Sequence, residues 1–495
     1  MQVHSQAPAN GSETLLPDSL ALYYARSITV SDLKNYLSIL ASDALEGRDT
    51  GSRGQKMAAA FIREHFKDNS LLPIIQKDSD SLYFQKMKLY RNYLDDVFIA
   101  TASKKYRNQQ ELVYLGNANI TSTQEFKIQF VGDGEENDYR DMTVDGAMVA
   151  FFAKSPNERQ RKVKISRDHG AEACFVINAD DQEEFSAYVQ RNSKYFEAVT
   201  ITREQVKSGS TITFLSSYQT LSELLAVERQ KLDQAVKKAG RSSRNPYRKL
   251  STTINVKAEM VSEKFETENV LGLVEGSDKK DELLVITSHY DHIGRNGDNI
   301  YNGADDNGSG TSAVMELAQA FASAKKKGHG PRRSILFMTV TGEEKGLLGS
   351  EFYSNHPAWP LEKTVANLNV DMIGRVDPHH ESTGPYVYVI GSNRLSLDLH
   401  QINEQVNELY TGLELDYKYN AADDPNRFYY RSDHYNFARH NIPIIFYFNG
   451  THADYHQPTD TIEKIRFDLL KTRTDLIFYC AWELANREER IRLNK

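Results

Sequence analysis

Four short hydrophobic runs in the C-terminal half of the chain each lead into a segment that carries His or carboxylate side chains. The runs are residues 283–286, 334–338, 368–370 and 443–447. Short runs of this kind predict buried strands of a parallel or mixed sheet. From residue 251 onward they alternate with helical segments, which predicts an α/β fold. In open α/β sheets, functional side chains gather where the carboxyl ends of the strands meet the loops.

The N-terminal half has a different pattern. Residues 31–40 predict an amphipathic helix with Ser31 as its N-cap, and a second helix begins at Gly54. Residues 118–217 contain short predicted strands and a helix, but no residue there has the spacing of metal ligands. We therefore interpret 118–217 as an insert with a binding or gating role rather than a catalytic one. Residues 221–239 predict one strongly charged helix.

The length of the chain indicates more than one domain, because 495 residues are too many for a single ordinary core. The predicted segments are a disordered N-terminal tail (1–18), the first part of the main domain (19–117), the insert (118–217), a helix and linker (218–250) and the catalytic core (251–495). The insert is thus expected to split the main domain in sequence.

Composition and charge narrow the functional class. The chain is 40% hydrophobic and 26% charged, as expected for a globular protein. Its formal net charge is −8 and its Lys and Arg residues are dispersed, so it lacks the basic footprint of a nucleic-acid-binding protein. No run approaches the roughly 18 apolar residues that a membrane span requires.

The N-terminal sequence does not decide the cellular location of the protein. The first 19 residues are polar and lack the apolar core of an export signal. This fits either a mature chain whose export signal has been removed or a cytosolic tail. The two cysteines, Cys174 and Cys480, each stand in an apolar context and are expected to be buried free thiols, although one bridge between them stays open.

Five side chains near the ends of the predicted strands have the composition of a zinc site. They are His289, Asp306, Glu344, Asp371 and His456. Zinc binds imidazole nitrogen and carboxylate oxygen. Two zinc ions about 3.5–4 Å apart hold a hydroxide between them, and they need one bridging carboxylate with one His and one carboxylate finishing each ion. The five residues match that count, and Glu343 is left over as a general base that later returns the proton to the leaving amine.

The order and spacing of these residues resemble the di-zinc exopeptidases, the family that includes secreted bacterial aminopeptidases, aminopeptidase Y and glutamate carboxypeptidase. The motifs that carry the resemblance are His289-Tyr290-Asp291, Asp306-Asn307-Gly308-Ser309-Gly310, Glu343-Glu344, Asp371, Ser432-Asp433-His434 and Tyr455-His456-Gln457-Pro458-Thr459-Asp460-Thr461. Each motif alone is weak, but together they are specific.

The resemblance implies a ligand set for two zinc ions per chain. One ion is expected to be held by His289, Asp371 and bridging Asp306, and the other by Glu344, His456 and the same Asp306. The neighbouring Asp305 is the alternative for the bridging position, and the motif selects Asp306.

The resemblance also implies the surroundings of the site. Asp291 is expected to fix the ring of His289 from outside the ligand set, and the Asp306–Asn307 peptide bond is expected to be cis. The implied fold is a three-layer α/β/α peptidase core with a mixed, mainly parallel central sheet. The insert, 118–217, resembles a smaller α+β protease-associated domain.

Other residues near the motifs have open roles. Ser432 and His434 are candidates for supporting the metal ligands or for the substrate pocket, and Arg431 and Tyr455 are candidates for contacting the substrate. His292 falls outside the zinc stoichiometry and is interpreted as structural. Asp460 is expected either to orient His456 or to cap the helix beginning near Ile462, and we favour the cap.

The leading functional hypothesis is a secreted, zinc-dependent aminopeptidase acting on peptides with a free N-terminus. By resemblance to secreted relatives, we expect the protein to be periplasmic, cell-surface or extracellular. One alternative is a glutaminyl cyclase, which shares the fold and uses one zinc. Another is a non-catalytic, receptor-like scaffold, since a fold does not fix a function. The substrate side-chain preference and the oligomeric state are not set by the sequence.

Overall fold

The computed structural model describes residues 14–75, 83–196, 199–239 and 245–494. The helices are α1 (Ser19–Ala25), α2 (Val30–Leu40), α3 (Arg53–Asp68), α4 (Pro156–Asp168), α5 (Gln182–Arg191), α6 (Ser193–Phe196), α7 (Tyr218–Leu225), α8 (Arg229–Lys238), α9 (Gly310–Lys326), α10 (Leu348–Asn355), α11 (Leu397–Val406), α12 (Tyr435–Ala438) and α13 (Phe467–Asn486).

The strands are β1 (Phe84–Ala100), β2 (Lys105–Arg107), β3 (Leu112–Tyr114), β4 (Ile120–Phe130), β5 (Met148–Phe152), β6 (Ala173–Ala179), β7 (Thr200–Thr202), β8 (Ile212–Ser217), β9 (Ser251–Val274), β10 (Lys279–His289), β11 (Gly294–Asn296), β12 (Asn299–Tyr301), β13 (Arg333–Val340), β14 (Thr364–Val370), β15 (Tyr386–Ile390), β16 (Glu414–Asp416) and β17 (Ile444–Phe448).

The chain forms two compact units. One unit contains the residues up to Lys88 and from Phe265 onward, and the other contains Leu89–Lys264. The second unit is broader than the predicted insert, 118–217, because the segments flanking that range supply strands to the same core. In it, β1 pairs with β7, and the first part of β9 pairs with β4.

The first unit contains a mixed, mainly parallel sheet with the strand order β16-β15-β17-β14-β10-β13-β9. Strand β10 runs parallel to β13 and β14, β14 runs parallel to β17, and β15 runs parallel to β16. The β13–β9 and β15–β17 pairs are antiparallel. The prediction of an α/β fold with a mixed sheet is therefore confirmed.

Helices cover both faces of this sheet. Successive residues of β10 point to opposite faces, so Leu284 and Ile286 join one hydrophobic cluster while Leu283 and Val285 join another. The first cluster includes buried residues of α2, α9 and α13, and the second includes buried residues of α10 and α12. Because β10 is buried on both sides, it reads as a continuous hydrophobic run.

The second unit has its own mixed sheet, in the order β9-β4-β5-β6-β8-β3, with β1, β2 and β7 paired beside it. Strands β4, β5, β6 and β8 are mutually parallel, whereas β3 and the first part of β9 are antiparallel to their neighbours. Two hydrophobic clusters contain alternate residues of these strands.

Several local predictions are corrected by the structure. The N-cap of α2 is Thr29, whose hydroxyl accepts the N–H of Asp32, and not Ser31. The charged segment 221–239 is not one helix, because Ala226 adopts a left-handed conformation (φ 51°) that ends α7 before α8 begins. Cys174 and Cys480 are buried and free, as expected.

Most of the predicted N-terminal tail, 1–18, lies outside the described residues. The last residues of the predicted tail are ordered within the first unit, since the N–H of Leu15 donates to Gln405 and the carboxylate of Asp18 caps α1. Within the described ranges, every helix is too short or too polar to traverse a lipid bilayer.

Candidate metal centre

The parallel strands bring their carboxyl ends to one edge of the sheet. His289 is the last residue of β10, Asp371 follows β14 directly, and Glu343 and Glu344 follow β13 after a short turn. His456 comes from the loop after β17. Because β10 pairs with both β13 and β14 in parallel, these ends lie side by side.

One group of ligand atoms forms around His289. Its Nε2 atom lies 3.3 Å from Asp306 Oδ1 and 3.3 Å from Asp371 Oδ1. All three side chains are buried. This is the first of the two ligand groups that the sequence predicts.

A second group forms around His456. Its Nε2 atom lies 3.0 Å from Asp306 Oδ2 and 3.3 Å from Glu344 Oε2. Asp306 therefore presents one carboxylate oxygen to each group, which is the arrangement that a bridging carboxylate needs. The imidazole of His456 stays 37% exposed, so this group has a route to solvent.

His292 also belongs to the second group, although the sequence interpretation set it aside. Its Nδ1 atom lies 2.7 Å from Glu344 Oε1 and 3.9 Å from Asp306 Oδ2. The ring is fully buried. The available signal was its place three residues after His289, in the loop that follows the same strand end.

The backbone at Asp306 is fixed by hydrogen bonds to the carboxylate of Asp460. Asp460 Oδ2 accepts the N–H groups of Asp305 and Asp306 at 3.0 and 3.1 Å. The interpretation of Asp460 as a helix cap is therefore wrong, because its carboxylate is engaged with the turn at Asp306. The Asp306–Asn307 peptide bond is cis, as the resemblance implies.

Asp305 faces away from the two groups. Its Oδ1 atom accepts the Gly374 N–H at 2.7 Å and the Ser309 hydroxyl at 2.9 Å, and its Oδ2 atom lies 3.1 Å from His452 Nε2. The carboxylate is thereby satisfied in a buried setting. Of the two adjacent aspartates, only Asp306 meets both ligand groups.

Asp291 supports the site in a different way from the one expected. The Nδ1 atom of His289 meets the backbone oxygen of Asp291 at 3.1 Å, whereas the nearer carboxylate oxygen lies 3.9 Å away. The carboxylate accepts the Thr50 hydroxyl at 2.8 Å and the Glu343 N–H at 3.2 Å. It thus links the loop that carries Glu343 to the segment before α3. Burial raises the pKa of Asp291.

Burial and crowding of like charges shift the acids and bases of the site. Burial raises the pKa of Glu343 well above its usual value, and the charges of Glu344 and Asp371 raise it further. Burial opposes the charged form of Asp306, but hydrogen bonds with His289 and His456 hold its pKa well below the usual range. Burial alone would lower the pKa of His289. The negative charges of Asp371 and Glu343 outweigh this effect and raise the pKa well above the ordinary value.

These distances and charges fit metal ions. In a tetrahedral zinc site with bonds of about 2.0–2.2 Å, neighbouring ligand atoms lie about 3.3–3.6 Å apart. The contacts of His289 with Asp306 and Asp371, and that of His456 with Glu344, are each 3.3 Å. Buried carboxylates this close together need compensating positive charge.

A small, partly open pocket lies beside the two groups. Its walls are Asp306, Glu343, Asp371, Met372, Phe428, Arg431, Phe446, Phe448, Thr451, Tyr455 and His456. Tyr455 stacks on the His456 ring at a centroid distance of 3.9 Å, and Arg431 lies over Phe428 at 4.8 Å. Both predicted substrate contacts therefore line this pocket.

Ser432 and His434 have different roles: Ser432 contacts a predicted metal ligand, whereas His434 packs in the interior. The Ser432 hydroxyl donates to Asp371 Oδ2 at 2.6 Å and accepts from the Asn369 amide at 2.9 Å. It thus fixes the carboxylate of a predicted ligand. The His434 ring instead stacks on Phe446, and its Nε2 meets the backbone oxygen of Tyr429 at 2.8 Å. Burial lowers the pKa of His434 to about 3, so this ring is neutral.

Curated proteins with related sequences include aminopeptidases and probable glutamate carboxypeptidases. A probable leucine aminopeptidase of Trichophyton verrucosum is 30% identical over 235 residues, which cover 46% of this chain and 61% of that protein. Aminopeptidase YwaD of Bacillus subtilis is 26% identical over 238 residues, 45% of this chain and 46% of that protein. The chain thus spans less than two thirds of the length of these relatives.

Solved structures show the same fold over most of the chain. An aminopeptidase from Aneurinibacillus sp. strain AM-1 superposes with a TM-score of 0.53 at 17% identity, covering 95% of this chain and 97% of that one. A zinc aminopeptidase from Bacillus subtilis gives 0.53 at 19% identity, with coverages of 94% and 98%. The family model for peptidase family M28 matches residues 269–481, the segment that contains His289, Asp306, Glu344, Asp371 and His456. In this segment the chain is similar to peptidase family M28.

Proposed function

We propose that the protein is a zinc-dependent aminopeptidase that releases N-terminal residues from peptides. The observation that carries the proposal is the position of Asp306, which offers one oxygen to each ligand group beside Glu343 and the mouth of a pocket. The similarity of residues 269–481 to peptidase family M28 and the names of the related proteins support it.

The proposed ligands are those implied by the motifs. His289, Asp306 and Asp371 would hold one zinc, and Asp306, Glu344 and His456 the other. Zinc bound there would supply a Lewis acid that polarises the substrate carbonyl and stabilises developing negative charge. Ser432 keeps the Asp371 carboxylate in place, and the Asp291 backbone keeps the His289 ring in place.

Glu343 is the proposed general base and acid. Its Oε2 atom lies 3.9 Å from His289 Nε2, and the side chain lines the pocket without belonging to either ligand group. Its own N–H is anchored by Asp291. From this position the carboxylate takes a proton from the attacking water and returns it to the leaving amine, so the two proton transfers share one residue.

Cleavage at the amino end is supported by the names of related proteins, which include a probable leucine aminopeptidase and aminopeptidase YwaD. The pocket walls include the proposed ligands Asp306 and Asp371, the proposed base Glu343 and the cation Arg431.

The other expectations from the sequence belong to the same proposal. We infer that part of the unit Leu89–Lys264 corresponds to a protease-associated domain, and that the protein works outside the cytoplasm. The first inference is supported by the insertion of this unit within the sequence of the peptidase unit. The second rests on the resemblance of the zinc-site motifs to those of secreted exopeptidases.

The alternatives explain the site less well. A glutaminyl cyclase with one zinc leaves the second ligand group around His456 without a purpose. A receptor-like scaffold does not need a free carboxylate such as Glu343 beside a complete ligand set. A glutaminyl cyclase would form pyroglutamate from a peptide beginning with Gln, and a scaffold would release no product.

The decisive experiment uses the full chain with aminoacyl-nitroanilides, dipeptides and a peptide beginning with Gln. We expect release of N-terminal residues, loss of activity with a strong chelator and recovery with Zn²⁺. Glu343→Gln should lower kcat by about 10²–10⁴-fold, while Glu489→Gln, on the exposed C-terminal segment, leaves it unchanged. Full turnover by Glu343→Gln, or pyroglutamate as the sole product, would contradict the proposal.

A further inference from the structure

A second cluster of ligand-type side chains lies on the loop between β14 and β15. His380 is buried, with its Nδ1 atom 2.8 Å from Asp377 Oδ1 and its Nε2 atom 3.3 Å from Asp416 Oδ2. Asp416 is the last residue of β16. None of these residues takes part in the proposed aminopeptidase chemistry.

The contacts of Asp377 set the proton position on His380. Asp377 accepts the hydroxyl proton of Tyr388 at 2.8 Å and the His380 backbone N–H at 3.1 Å. An ionised carboxylate only accepts hydrogen bonds, so the imidazole must donate Nδ1–H to it. The other ring nitrogen, Nε2, then faces Asp416 and is available as a metal ligand.

Two electron-rich atoms, His380 Nε2 and Asp416 Oδ2, are therefore held 3.3 Å apart. Something positive must lie between them, either a proton or a metal ion. A proton needs only these two groups. A third donor is present, however, since the ligand atoms of His379, His380 and Asp416 all lie within 4.8 Å of one another.

We propose that His379, His380 and Asp416 form a third site for a zinc-class divalent ion, separate from the pair of groups that share Asp306. Two imidazole nitrogens and one carboxylate oxygen are a donor set that zinc accepts, with one position left for water. The distance between Nε2 and Oδ2 equals that between neighbouring ligand atoms in a tetrahedral zinc site, about 3.3 Å.

The surroundings pre-organise this site. The His380 ring stacks on Tyr386 with a centroid distance of 3.5 Å and an angle of 8°, and the guanidinium of Arg473 lies over Tyr386 at 4.8 Å. The Asp377 carboxylate orients the ring in the manner of a carboxylate–histidine–zinc triad. His379 is exposed and gives the ion access from solvent.

The ion would fasten the loop after β14 to strand β16. That loop begins at Asp371, a proposed zinc ligand, and Asp377 packs against Gly450, where an added Cβ atom would lie 2.7 Å from Asp377 Oδ2. Tyr386 also donates to the Asn449 backbone at 2.5 Å. The third ion is thus structural, holding two loops of the pocket wall in place.

The test is the amount of Zn²⁺ bound by chelator-treated full chain at neutral pH, measured by equilibrium dialysis and elemental analysis. His379→Ala and Asp416→Asn should each bind one Zn²⁺ per chain fewer than the unaltered protein. Asp377→Asn should weaken the third ion by about 10–100-fold. His440→Ala, which removes another exposed histidine of the same unit, should bind as much as the unaltered chain.

The outcome is read as a difference between proteins, so it does not depend on the proposed peptidase activity. Equal Zn²⁺ content in the unaltered chain, His379→Ala and Asp416→Asn would overturn the third site. A circular dichroism spectrum of His379→Ala equal to that of the unaltered chain would show that the variant is folded.

Discussion

The carboxylate of Asp460 accepts the backbone N–H of Asp306 at 3.1 Å, although the two residues are 154 positions apart in the chain. The same oxygen accepts the preceding N–H, that of Asp305. One buried carboxylate therefore sets the orientation of the turn that carries the proposed bridging ligand.

Replacing Asp460 by Ala should weaken zinc binding at the paired site by about 10–100-fold, the usual effect of losing a group that orients a ligand. The reason is that the Asp306 turn loses the acceptor of two N–H groups. Zinc affinity by competition with a chelator is the measurement. Glu463→Gln is the control, because Glu463 is exposed only three residues away. An unchanged zinc affinity in Asp460→Ala would show that Asp460 does not position Asp306.

Thr50 is expected to act through Asp291. Its hydroxyl donates to Asp291 Oδ2 at 2.8 Å, and the other carboxylate oxygen anchors the Glu343 N–H. Thr50→Val keeps the shape but removes the donor, so kcat/KM should fall by about 10–100-fold. Thr50→Ser should restore most of the rate. Equal kcat/KM values for Thr50→Val and Thr50→Ser would contradict the role of Thr50 in orienting Asp291.

Gly310, the first residue of α9, is required by a close approach of two backbones. An added Cβ atom would lie 2.4 Å from the backbone oxygen of Val370 and 2.3 Å from Asn307 Oδ1. Gly310→Ala should therefore destabilise the protein by about 1–3 kcal/mol or more, and displace the turn at Asp306. Gly384→Ala, where an added Cβ meets nothing within 4 Å, should be tolerated. Thermal unfolding of both variants tests this, and equal midpoints would refute it.

Glu316 makes stability depend on pH. Burial raises the pKa of this α9 residue from 4.5 to about 8, and the charge of Asp32 adds to the effect. Because the folded-state pKa is the higher one, the stabilisation is complete below about pH 4.5 and is lost as the pH rises through about 8.

Glu316→Gln should abolish this loss. Each unit of pKa shift corresponds to about 1.4 kcal/mol, so the loss at alkaline pH amounts to a few kcal/mol. We expect the variant to match the unaltered chain at pH 4 and to be more stable at pH 9, as measured by urea unfolding. A variant that loses as much stability as the unaltered chain at pH 9 would show that another group titrates.

The sequence predicted those parts of the site that follow from strand ends. His289 and Asp371 stand at the ends of hydrophobic runs, and in a parallel sheet those ends share an edge. Asp460 could not be placed, because its partners are backbone N–H groups, which leave no mark on the sequence. His292 was set aside by counting ligands, whereas only coordinates show its contact with Glu344.

The boundaries of the inserted unit were hidden for a similar reason. Residues 89–117 and 218–264 belong to it because β1 pairs with β7 and β9 pairs with β4. Such pairings join segments far apart in the chain, and each strand alone looks the same on either side of a domain boundary. The break between α7 and α8 at Ala226 is likewise a conformational choice without a Gly or Pro to signal it.

The most direct test of the shared-carboxylate centre is the zinc content of Asp306→Ala beside that of the unaltered chain, both refolded or dialysed in the same Zn²⁺ buffer. Since Asp306 meets both ligand groups, we predict that this single substitution removes two zinc ions per chain. Loss of one ion or none, in a protein that remains folded by circular dichroism, would contradict the account.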